Sequence, residues 1–137
     1  LAAGYTLGIS NERGTSGWLR SAGTSLQIDF QPDQAWASAF ISAGQPMDLR
    51  ACSVLVADLW ASREGVQVGL GMKDSADADG SETLVPLTLG MARTSYRIPL
   101  AQFTTADLAS IAVPFQVVYH GREAATVYVD NVRVLCP

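Results

Sequence analysis

Residues 66–73 read VQVGLGMK, and they alternate without a slip: Val66, Val68, Leu70 and Met72 against Gln67, Gly69, Gly71 and Lys73. Strict alternation puts every second side chain on one face, the signature of a strand with one face in a core. The same period runs outward in both directions. Ser53–Ala61 sets Leu55, Ala57 and Leu59 against Val54, Val56, Asp58 and Trp60. Ser25–Gln31 sets Leu26, Ile28 and Phe30 against Gln27 and Asp29. Ile111–His120 offers Ile111, Val113, Phe115, Val117 and Tyr119 as a core set.

Further strands are expected at Gly4–Ser10, Trp36–Ser42, Thr83–Leu89, Thr94–Leu100 and Thr126–Leu135. Thr104–Ala109 reads as one helical turn, with Thr104 or Thr105 as its cap. Trp18 falls in a Gly/Ser-rich loop and reads as a plug over one end. Short strands separated by turn residues indicate an all-β, two-sheet antiparallel jelly-roll β-sandwich, with residues 1–137 as one unit.

Bulk composition excludes several functions. With 48% hydrophobic and 16% charged residues the chain can build a packed core, which argues against disorder. Thirteen acids stand against nine bases and Lys73 is the sole lysine, so there is no basic stripe for nucleic acid. No apolar run has the length of a membrane span and no basic amphipathic helix is present. The chain starts at Leu1, which leads us to expect a removed leader or a preceding region. Composition poor in lysine and rich in Ser, Thr, Gly and Ala suits a secreted protein.

Cys52 and Cys136 lie far apart and match no zinc spacing. Two readings stand, a disulfide or two buried thiols. Closing so long a loop stabilises by roughly 4 kcal/mol in the chain-entropy model. Enzyme signatures are missing: there is no phosphate loop, no G-x-S-x-G elbow, and no second His beside His120.

Four phrases carry a family resemblance: DLRACSVLVADLWA (48–61), VQVGLGMKDSADADGSET (66–83), YRIPLAQFTTADLASI (96–111) and TVYVDNVRV (126–134). In this order they resemble the galactose-binding-like jelly rolls that serve as carbohydrate-binding modules in bacterial polysaccharide-degrading systems. Two departures stand out. The strand VGLGMKD is longer than the family's, which suggests a bulge. Arg50, Val54 and Val56 stand where relatives carry small or polar residues, which suggests a drier or shifted groove.

The resemblance implies non-catalytic binding of a polysaccharide, a β-glucan or hemicellulose chain, in a protein that acts beside a glycoside hydrolase. Sugar sites need flat aromatic faces for the C–H patches of a pyranose and polar groups for its hydroxyls. Trp60 and Asp58 share the side of their strand opposite Leu55, Ala57 and Leu59. If the sheets pair as in the family, Gln116 and His120 point the same way, with Trp36 at the rim and Lys73 within reach.

Asp77, Asp79 and Glu82 supply hard oxygens within one short turn, which suits calcium; a solvated acidic turn is the plain alternative. The resemblance implies a second calcium site at Asp130, with Asn11 and Glu12 as partners. Alternatives to glycan binding are a structural appendage on a catalytic domain, or a small glycan-active enzyme with two converging carboxylates.

Overall fold

The computed structural model describes residues 4–11, 18–22, 25–31, 36–75 and 82–137. Their strands are β1 (Tyr5–Asn11), β2 (Trp18–Ala22), β3 (Ser25–Phe30), β4 (Ala37–Ala43) and β5 (Val54–Ala61). After these come β6 (Val66–Asp74), β7 (Val85–Leu89), β8 (Thr94–Pro99), β9 (Ile111–Tyr119) and β10 (Ala125–Leu135). They form two five-stranded antiparallel sheets, ordered β1-β4-β9-β6-β7 and β2-β3-β10-β5-β8. The two pack face to face as a jelly-roll sandwich. No described helix is long and apolar enough to cross a membrane.

The core lies where the alternation places it. Leu55, Ala57 and Leu59 are buried from one sheet, and Val66, Val68, Leu70 and Met72 from the other. Phe30 and Tyr119 bridge the layers with ring centroids 5.2 Å apart. Cys52 and Cys136 are joined by a disulfide that ties the start of β5 to the end of β10. Beside it the Ser53 N–H donates to the Leu135 carbonyl at 2.9 Å.

Four sequence expectations are corrected. Trp18 opens strand β2 instead of lying in a loop, and the strand pairs with β3 at an edge of its sheet. The helical turn is a 3-10 turn at Leu100–Gln102, ahead of residues 104–109. Thr105 does not cap a helix: its Oγ1 accepts the Thr83 N–H at 2.8 Å.

The third correction is the bulge. It does occur between β6 and β9, but the surplus residues are on β9. Gly71 faces Gln116 and Lys73 faces Val113, so β9 advances three positions while β6 advances two. Pro114 sits at that slip, and a proline has no N–H to give to the ladder. Consequently Val113 leaves the core set and turns to the outer surface, which is the fourth correction.

Candidate functional site

Side-chain alternation gives each sheet an outer face, and the expected binding residues divide between the two. Asp58 and Trp60 project from β5, in the sheet β2-β3-β10-β5-β8. Gln116 and His120 belong to β9 and its end, and Trp36 precedes β4, all on the opposite sheet. The single face of Trp60, Asp58, Gln116 and His120 expected from the sequence is thereby corrected: β5 and β9 are in different sheets.

On the β5 side the aromatic ring already has neighbours. Trp60 stacks on Tyr128, the residue opposite it on β10, at 5.3 Å and 12°. The Arg93 guanidinium lies 5.1 Å from the ring centroid, a cation–π distance. Arg93 also pairs with Asp58 at 2.8 Å and Asp130 at 2.9 Å, and Asn131 Nδ2 donates to Asp58 at 3.2 Å. This knot forms because β10 carries an extra residue between Asp130 and Arg133, and Asn131 takes a positive φ of 51° there. Val54 and Val56 belong to this face too. Val56 is fully buried, with Arg97 and Arg133 as its register partners on the two sides.

Asp58 is held below the ordinary carboxylate range, first by the Arg93 hydrogen bond and then by Asn131. A depressed carboxylate contributes stability that is present above its unfolded pKa and lost as pH falls through its folded one. Arg93 is almost half exposed, so solvent screening keeps the contribution small. Below about pH 4 wild type is expected to lose more melting temperature than Arg93→Gln. Thermal melts across that range check it, and parallel losses in the two proteins would contradict it.

The outer face of the other sheet is concave. A groove of about 500 Å³ is lined by Trp36, Ser38, Phe40, Lys73, Glu82, Leu84, Val113, Gln116, Val118 and His120. It adjoins a second hollow that shares Leu84 and His120 and is walled by Arg63, Arg122 and Glu123. The groove's floor is made possible by glycines. A Cβ on Gly71 would lie 2.5 Å from Gln116 Nε2, and one on Gly69 would lie 2.9 Å from Leu84 Cβ. Bare backbone at these two outward positions of β6 lets the Gln116 and Leu84 side chains lie across the strand.

Gln116 is buried in the middle of this floor, with 4% exposure. Its Nε2 donates to Glu82 Oε1 at 2.7 Å. Trp36 is half-buried and His120 exposed, so a ring and a polar side chain stand at the groove's margin. Hydrophobic walls with a few converging polar groups are the composition of a small-molecule or glycan site.

The calcium candidates meet the structure differently. Asp77 and Asp79 lie outside the described residues. Glu82, grouped with them in the sequence, turns into the groove toward Gln116. Asp130 pairs with the Arg93 guanidinium at 2.9 Å. Glu12 lies outside the described residues. Among those described, no group of three His, Cys, Asp or Glu side chains is arranged to hold a metal ion.

Phe40 and Leu84 are groove residues that the sequence reading did not assign to binding, and Glu82 is one that it assigned to calcium instead of to a glycan. The signal for Leu84 was the Gly69/Gly71 pair, since two outward glycines in a strictly alternating strand mark a close approach by something lying across it, and Phe40 lies in the same way against Gly8 of β1.

No family model matches the chain, and no curated protein matches it by sequence. Solved structures do. A family 30 carbohydrate-binding module superposes with a TM-score of 0.73 at 16% identity, over 93% of this chain and 80% of its own. A family 11 module from Clostridium thermocellum, solved with a β-1,3-1,4-mixed-linked tetrasaccharide, gives 0.69 at 13% identity, over 98% and 90%. An agarase gives 0.76 at 12% identity; the match takes in 100% of this chain but 23% of the agarase. This chain has the β-sandwich fold of those carbohydrate-binding modules.

Proposed function

We propose that the chain is a non-catalytic binding module that takes a β-glucan or hemicellulose chain in the groove across β4, β9 and β6. The observation that carries this is the groove itself, with Trp36 at its margin and the Gln116–Glu82 pair on its floor. The fold likeness supports the reading, since one similar module was solved with a mixed-linkage tetrasaccharide. Among the described residues the groove has one carboxylate, Glu82, whereas the usual glycoside hydrolysis mechanism uses a pair.

Secretion is part of the proposal, supported by the disulfide, a bond that persists in oxidising compartments. So is action beside a glycoside hydrolase, supported by the agarase, in which a matching sandwich is about a quarter of a longer chain. That likeness also favours a second reading, a structural appendage packed on a catalytic domain.

Affinity electrophoresis on soluble glucans, xylans and mannans separates the two readings. Wild type is expected to be retarded by at least one of them. Trp36→Ala removes the ring that covers a pyranose and should cost about 1–3 kcal/mol of binding, roughly 5- to 150-fold. Equal retardation of Trp36→Ala and wild type would remove Trp36 from the site. Wild type that migrates freely through every glycan would favour the appendage.

A further inference from the structure

This inference rests on the groove being a glycan site and concerns what the groove selects. We propose that Gln116 and Glu82 are its specificity-determining residues: together they form an acceptor pair that takes ligand hydroxyls and rejects chains bearing carboxylates or sulfates.

The orientation of the pair follows from its chemistry. An ionised carboxylate only accepts, so the nitrogen of the Gln116 amide must face Glu82, at 2.7 Å, and the amide oxygen must face away. That oxygen accepts no hydrogen bond from any described residue. The second carboxylate oxygen of Glu82 is closed off from solvent and has no hydrogen-bond partner among the described residues. A buried acceptor without a donor is costly, and native structures keep few of them. The terminal torsion of a glutamate is soft, so the carboxylate can turn this oxygen toward an entering hydroxyl, whose bond offsets the Gln116 contact that the turn loosens. Ligand O–H donors therefore complete what the protein leaves incomplete.

The same geometry sets the charge preference. Glu82 is the sole carboxylate among the described residues lining this groove. Lys73, the sole Lys or Arg among them, already has an interaction partner. A uronate or sulfate placed on this floor would sit against the Glu82 charge in a partly desolvated site, where like charges repel strongly. Gly71 belongs to the device, because any side chain there would push the Gln116 amide off Glu82.

The test uses a matched pair of ligands: soluble β-1,3-1,4-glucan, and the same polymer oxidised at C6 to uronate. Wild type is expected to bind the neutral polymer at least about 10-fold more tightly, and the reverse preference would overturn the proposal. This comparison needs no variant, so it decides the matter even if a variant folds poorly. Glu82→Gln keeps an oxygen for Gln116 but puts a donor where the free acceptor was. It should weaken binding of the neutral glucan by about 10- to 100-fold, the range for a hydrogen bond to a charged group. If Trp36→Ala weakens binding and Glu82→Gln does not, the groove stands as a glycan site and the role of the pair falls. If wild type binds neither polymer nor any other glycan offered, both fall together.

Discussion

Removing the disulfide, as Cys52→Ser with Cys136→Ser, is expected to lower the unfolding free energy by about 4 kcal/mol. The size follows from the loop. The two cysteines are 84 residues apart, and an unfolded chain with that loop open gains much of its conformational freedom back. For a chain of 137 residues this corresponds to a fall in melting temperature of about 10–15 °C. The bond is placed to act on the native state as well. It ties β5 to β10, the central neighbours of one sheet, just beyond the hydrogen bond from Ser53 to Leu135. The groove lies on the other sheet, so glycan affinity measured well below the melting temperature should not change. Denaturant titration of wild type and the double variant measures the effect, and coincident curves would refute the assigned contribution.

The second large effect is expected from Trp60→Ala, at about 2–3 kcal/mol of stability. Truncation loses the ring's buried area, its stacking on Tyr128 and its contact with Arg93. It also leaves Arg93 with less to hold it over Asp58 and Asp130. For this chain length the melting temperature should fall by about 5–10 °C. Affinity for the glycan that wild type binds should stay the same, because Trp60 is on the sheet opposite the groove. A variant that melts like wild type but binds more weakly would place the site on the wrong face.

Trp60 also shows how far the sequence is legible. Alternation along β5 puts Leu55, Ala57 and Leu59 inside and Asp58 and Trp60 outside, and that is how they lie. Alternation does not say in which sheet a strand sits. Trp60 and Gln116 are each outward-facing, yet the strand order places them on opposite surfaces of the sandwich. Long-range pairing decides that, and no local period encodes it. The strand at 18–22 was missed for another reason: WLRSA is short, flanked by Gly17 and Gly23, and carries little apolar alternation. Its pairing with β3 supplies what its own sequence lacks. The departure of Val113 from the core has a readable cause in Pro114, but the resemblance drew attention to the length of β6 and away from β9. Glu82 was grouped with Asp77 and Asp79 because they are close in sequence, while its bonded neighbour, Gln116, is 34 residues on.

Glycan is expected on the outer face of β1-β4-β9-β6-β7. Two-dimensional NMR of the labelled protein, titrated with a soluble mixed-linkage β-glucan oligosaccharide, tests it most directly. Shift changes are expected at the Trp36 indole N–H, the Gln116 side-chain amide and the backbone of Ser38, Lys73, Val118 and His120. The Trp60 indole and the backbone of Asp58, Tyr128 and Asp130 should hold still. Changes that cluster instead at Trp60 and Tyr128, with the groove residues unmoved, would contradict it.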